Sequence, residues 1–205
     1  MKTTWRQAVQ DKTFIIVALA TLVLLAGLAT LTPYFFREVI APKHGVQLRD
    51  PLLAILQPFD LSFWIFALIN FSILLTLVVH WKDPRVIVGG FAAYCLITLA
   101  RMLAMYGITL EPPEGMISLV DPFLTHFFYP PEFAKDLFFS GHVSTMVLMA
   151  LVEPVRWMRW LKIAAGVAVA ACLLIQHVHY SIDVFSAPVF TYAAYKLVFR
   201  LKCFR

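Results

Sequence analysis

The chain has 205 residues, 61% of them hydrophobic and only 14% charged, with a mean hydropathy of +0.80 and a formal net charge of +5. Soluble globular domains carry about 25% charged residues, so this composition excludes that class and points to an integral membrane protein. The length leaves room for one membrane domain over 1–205, and in so apolar a chain the positive charge is not a nucleic-acid footprint.

A bilayer-crossing helix needs about 20 mostly apolar residues. Six stretches qualify, near 13–33, 61–81, 86–110, 137–152, 160–178 and 181–199, and the expected fold is all-α with six transmembrane helices. The first follows Lys2, Arg6 and Lys12, as a signal peptide would. Its apolar run is too long for a signal core and "TPYFFREV" offers no small-residue cleavage pattern, so it reads as a retained helix. The connection at 34–60 mixes apolar residues with prolines and is expected to lie on the membrane interface. Short Pro-containing turns at 82–85 and 153–156 read as simple connectors, whereas 111–136 is long and rich in Pro and aromatic residues, suited to capping a site or resting among headgroups.

Twelve Lys and Arg residues gather at the N-terminus, the 81–86 turn, the 153–162 turn and the tail. Only Arg37, Lys43, Arg49 and Lys135 fall in the alternate loops. By the positive-inside rule both termini are expected in the cytoplasm. Nine of the twelve acidic residues, among them Asp50, Asp60, Glu111, Glu114, Asp136 and Asp183, then lie on or near the opposite face, which is expected to be the working face toward periplasm, lumen or exterior. Cys95, Cys172 and Cys203 show no metal or disulfide spacing and read as small apolar fillers.

Two polar clusters interrupt the apolar pattern near the expected outer ends of the fourth and sixth spans: "DLFFSGHVSTM" (136–146) and "HVHYSID" (177–183). Ionisable residues at such depth are functional candidates by default. His179 and Asp183 are four apart, a spacing that on a helix puts them on one face, where the carboxylate fixes the imidazole tautomer. Alone, such a pair is equally well a satisfied polar contact. The second cluster alters the balance, because Ser140, Gly141 and His142 open a helix whose first turn offers unpaired N–H groups to an anion, with Gly141 allowing close approach. These are parts for phosphoryl transfer: His179 attacking phosphorus, His142 protonating the leaving oxygen. Arg101, inside the third span, is either a snorkelling anchor or the cation that neutralises the phosphate.

The same residues resemble the type 2 phosphatidic acid phosphatase superfamily, six-helix membrane phosphotransfer enzymes, and within it the sphingomyelin synthase branch. "DLFFSGHVSTM" is similar to that branch's Asp, apolar pair, Phe-Ser-Gly-His block, "HVHYSIDV" to its His-x-His-Tyr-Thr-x-Asp-Val block, and "RMLAMYGITLEPPEGM" (101–116) to its Arg-containing third-helix segment. The resemblance implies His142, His179 and Asp183 as a catalytic triad, a phosphohistidine on His179 and a lipid substrate, with Asp136 matching the family's Asp six residues before the first His. The chain departs from the pattern at Cys172 and Leu173, where the phosphatases have Ser-Arg, and at Ser181 and Glu111, where the synthase branch has Thr and Pro. A phosphomonoester carries close to two charges at neutral pH. With fewer cations at hand, the site leans toward a singly charged phosphodiester.

The expected function is thus a lipid phosphotransferase that cleaves a phospholipid headgroup phosphate and passes it to a lipid hydroxyl or to water. The alternatives are a lipid phosphate or pyrophosphate phosphatase and, from another class, a non-catalytic lipid-binding or transport protein. Arg101, Ser140 and Gly141 are the expected phosphate-binding residues. Asp136, Glu111 and Tyr180 are the supporting or headgroup residues, and Phe127, Phe128 and Tyr129 are a candidate ammonium cage or, more simply, an interface belt. His177, two residues before His179, is given a supporting role only. No cofactor or metal is expected, and the partners are a phospholipid, its lipid or water acceptor and the bilayer, with no nucleic acid; homo-oligomerisation is left open.

Overall fold

The computed structural model describes residues 4–120 and 135–204. It is all-helical among those residues, apart from one isolated parallel bridge between Val46 and Leu110. The helices are α1 (Trp5–Ala8), α2 (Lys12–Tyr34), α3 (Ser62–His80), α4 (Pro84–Gly107), α5 (Gly141–Leu151), α6 (Arg156–Ile175) and α7 (Ser181–Phe199). Three begin on aspartates that satisfy the first orphan amides: Asp11 accepts from Thr13 N, Asp60 from Ser62 N and Oγ, and Asp83 from Arg85 N just after Pro84 at the first helical position.

Among the described residues five helices are long and apolar enough to cross a bilayer: α2 with the π-helical turn Phe35–Ile40 that continues it, α3, α4, α6 and α7. The expected fourth span, 137–152, differs. α5 has eleven residues, or about 16 Å at 1.5 Å per residue, far short of a bilayer core of about 30 Å. Ser140 is the reason. Its hydroxyl accepts from Val143 N at 3.4 Å and starts the helix there, leaving the apolar Leu137–Phe139 as irregular chain with Leu137 and Phe139 fully buried.

α5 is nonetheless central, packed against α3, α4, α6 and α7, while α2 lies outside against α4. Of α2's side chains only Phe14, Thr21 and Leu28, seven apart along one stripe, are buried. The basic clusters of the sequence meet at one end of the bundle. There Trp5 Nε1 donates to Trp81 O at 2.7 Å and Phe14 packs on Phe204. Lys162 is an exception to its reading as a topological charge, being 1% exposed and paired at 2.6 Å with Glu153, which also meets His80 Nε2 at 2.9 Å.

At the other end two connections cross over the helices. Residues 45–53 are tied to 109–111 by Val46 N to Thr109 O (3.0 Å) and Glu111 N to Val46 O (3.1 Å), and Leu48 N donates to Tyr180 Oη at 3.2 Å. A Cβ on Gly45 would lie 2.6 Å from the Leu110 carbonyl carbon, so only glycine permits this approach. The segment read as resting on the interface is therefore a strap docked on the start of α7.

Candidate active site

His179 does not lie on a helix. α6 ends at Ile175 and α7 begins at Ser181, so the i, i+4 spacing of His179 and Asp183 is realised across a capping turn rather than along a helical face. Asp183, fully buried in the first turn of α7, folds its Oδ2 back to accept from Tyr180 N at 3.1 Å, and this places the same oxygen 3.4 Å from His179 Nδ1. That distance is within ion-pair reach, yet His179 Nδ1 makes no hydrogen bond and Asp183 Oδ1 has no partner. With Nδ1 turned to the carboxylate, Nε2 is the nitrogen left for chemistry.

The second histidine comes from the first turn of α5. The His142 ring centroid lies 6.0 Å from that of His179 at an interplanar angle of 62°, with the edge of Phe66 from α3 at 5.9 Å on another side. Ser140 N donates to Asp183 O at 3.1 Å, so the starts of α5 and α7 are joined directly. Two sequence clusters some forty residues apart thus share one location.

Arg101 also reaches this location, from six residues below the last residue of α4. Its Nε donates to Phe139 O at 2.7 Å and its Nη2 pairs with Asp136. The side chain is 13% exposed, so it does not snorkel into the headgroup layer. A Cβ on Gly141 would stand 2.6 Å from Arg101 Cζ, which makes that glycine the floor on which the guanidinium rests. At ~1.5 Å per residue the six residues of α4 beyond Arg101 rise about 9 Å, and the four of α3 before Phe66 about 6 Å. The histidines are sunk below the helix ends.

The remaining expected residues divide. Asp136 is at the site through Arg101. Ser140, 0% exposed, uses its hydroxyl as the α5 cap, and its carbonyl accepts from Ser144 N and Oγ. Glu111 stands in the strap joint, where its Oε1 accepts from Lys135 Nζ (2.9 Å) and Gly45 N (2.8 Å), and these contacts hold its carboxyl below the ordinary range. Tyr180 donates its hydroxyl to Glu111 O at 3.0 Å and is 1% exposed, a clamp between the strap and the turn that carries His179. His177 adopts φ = 56°, with Nδ1 2.9 Å from Glu114 O and Nε2 buried without a partner. Phe127, Phe128 and Tyr129 lie outside the described residues.

The sequence reading missed two polar groups. Asp50 accepts from Ser181 N at 2.6 Å and Ser181 Oγ at 3.0 Å, two residues after His179. Gln176, fully buried, binds Ser62 Oγ, Leu61 N and Ile117 O, fastening the end of α6 to α3 and to the second connection. Its adjacency to the His177–Asp183 cluster was the available signal; Asp50 had none to separate it from other loop acids. A groove lined by Trp64, Ala67, Leu68, Asn70, Phe71 and Leu74 belongs to α3 alone. Among the described residues no group of three or more His, Cys, Asp or Glu side chains is arranged so as to hold a metal ion.

The arrangement defines a membrane-embedded bundle with two apposed histidines, one carboxylate-backed, beside an arginine. Residues 135–200, about a third of the chain, match the family model described as PAP2 superfamily C-terminal. The match contains Asp136, His142, His179 and Asp183 and supports the type 2 phosphatidic acid phosphatase superfamily, whose members are lipid phosphatases and phosphotransferases. No curated protein matches the chain.

Proposed function

We propose that the protein is a lipid phosphotransferase of the sphingomyelin synthase type, acting on a phosphodiester lipid from the outer leaflet. The observation that carries this reading is the pairing of His142 and His179 at 6.0 Å beside Asp183 and Arg101. His179 Nε2 attacks phosphorus, the P–O bond to the leaving lipid alcohol breaks, and His142 gives that oxygen its proton. The carboxylate of Asp183 stabilises the tautomer with the proton on Nδ1; catalytic hydrogen bonds run long before the transition state and tighten in it, in keeping with a 3.4 Å separation. In the second half an acceptor hydroxyl, from a lipid or water, gives its proton to His142 and displaces His179 from phosphorus.

The choice of a diester rests on charge. Arg101 is already paired with Asp136, so the cation near the phosphate is partly neutralised, and a dianionic monoester would bind against Asp136 and Asp183 with little compensation. The test presents purified protein in mixed micelles with phosphatidylcholine and with phosphatidate, both radiolabelled at phosphorus. Acid-labile label from the diester on wild type and on His142→Ala, absent from His179→Ala, is expected. Phosphate release from phosphatidate with the diester untouched would move the assignment to a lipid phosphatase. Label lost in His142→Ala and kept in His179→Ala would reverse the two roles.

A further inference from the structure

We infer that Asp50 is a positioning residue for the nucleophile, holding the turn that carries His179 from a strap distant in sequence; this rests on the assignment of His179 above. His179 Nδ1 makes no hydrogen bond, its carboxylate neighbour standing 3.4 Å away, so the backbone that carries the ring has a large part in placing it. That backbone is the non-helical 177–180 segment. Ser181, midway between His179 and Asp183, is where Asp50 takes hold, through a backbone amide at 2.6 Å and a hydroxyl at 3.0 Å. The amide is one of the orphan donors of the first turn of α7, and a bond from it to a carboxylate is charge-assisted and short.

Asp50 is itself fixed. Its Oδ1 accepts from Leu52 N at 3.0 Å and Leu53 N at 3.4 Å, and Leu53 is buried in the core. The strap around it is locked by the Val46–Leu110 bridge and by Gly45 N on Glu111, and Leu48 N on Tyr180 Oη gives a second tie next to the histidine. The strap therefore docks without Asp50, whereas its grip on Ser181 depends on that carboxylate. A group that fixes a reacting side chain to within a fraction of an ångström governs turnover more than affinity, since a misplacement of about 1 Å costs about 10²-fold.

The experiment uses the full chain in micelles, with a nitrophenyl phosphodiester and phosphatidylcholine as probes, and compares wild type, Asp50→Ala and Asp50→Asn. Asp50→Ala is expected to lower kcat about 10²-fold with KM within about twofold, and to raise amide exchange selectively over 178–184. Asp50→Asn keeps an acceptor oxygen for the Ser181 amide and is expected to recover about tenfold of that loss. An unchanged kcat in Asp50→Ala overturns the assignment. So does a loss shared equally by both variants and accompanied by exchange rising throughout the bundle, which marks a structural role. If wild type turns over neither probe, the functional reading fails instead, and exchange decides alone: protection over 178–184 that is the same in wild type and Asp50→Ala refutes the positioning role.

Discussion

Gly141→Ala tests the geometry around Arg101 most directly. The new methyl carbon would stand 2.6 Å from Arg101 Cζ, where carbon atoms prefer roughly 3.5–4.0 Å, so the guanidinium must retreat by about 1 Å. It cannot do so freely, because Nε is bonded to Phe139 O at 2.7 Å and Nη2 to Asp136. A shift of this size costs about 10²-fold in turnover, and a lost charge-assisted bond about 1.5–3 kcal/mol, which is the same order. The assay is steady-state hydrolysis of a nitrophenyl phosphodiester in micelles by wild type, Gly141→Ala, Arg101→Ala and the double variant. If the methyl acts through Arg101, removing the guanidinium removes the clash, and the double variant should be no slower than Arg101→Ala. Full activity in Gly141→Ala would refute the packing argument. Multiplying losses in the double variant would show that the methyl obstructs the substrate rather than the arginine.

Two further outcomes concern stability. Lys162→Met should cost about 3–5 kcal/mol, because it leaves Glu153 buried with its 2.6 Å partner gone, and a melt in detergent should fall by roughly 6–20 °C; an unchanged melting temperature would show that His80 and the amide of Val155 suffice for Glu153. Burial raises the Asp50 carboxyl, but the bonds from Ser181, Leu52 and Leu53 outweigh it, and Lys135 with Gly45 N lowers that of Glu111, so both titrate below the ordinary value in the folded chain. Depressed carboxylates contribute their stability above the unfolded value, about 4, and lose it as pH falls through the folded one; proteolysis of the 41–61 strap should be constant from neutral pH down to about 5 and rise only below about 4, and opening already at pH 5–6 would contradict the assignment.

The candidate site residues stand out in the sequence because ionisable groups are expensive in a membrane, and cost singles out residues whatever the fold. How they meet was not. The spacing of His179 and Asp183 suggested a helical face, while the structure uses a turn closed by Asp183 on Tyr180 N, a device that the same four-residue spacing also permits. The length of α5 is hidden because Leu137, Phe138 and Phe139 are as apolar as the helix that follows; the boundary signal is Ser140, a preferred N-cap residue whose hydroxyl caps the helix. The pairing of His80 with Glu153 spans 73 residues. No local pattern announces such a contact, and each member alone reads as a charge at a helix end.

The two ends of the bundle treat buried polarity differently, and the difference bears on what each is for. At the basic end Glu153 meets His80, Lys162 and the amide of Val155, and Lys162 also donates to Thr76 Oγ1 at 2.7 Å, so one carboxylate organises α3, α5 and α6, while His80 Nδ1 and Arg85 Nε are left without a hydrogen bond. At the site end His142 Nδ1, His177 Nε2, His179 Nδ1 and Asp183 Oδ1 are buried without a hydrogen bond. An unsatisfied buried group costs about 1–3 kcal/mol, and the four at the site end fall within two short segments that meet at one place. The helix linking the two ends is also the shortest of those in the bundle core. α5 places its first turn beneath the ends of its neighbours, and electrostatic contacts made at such depth gain strength from the lower dielectric.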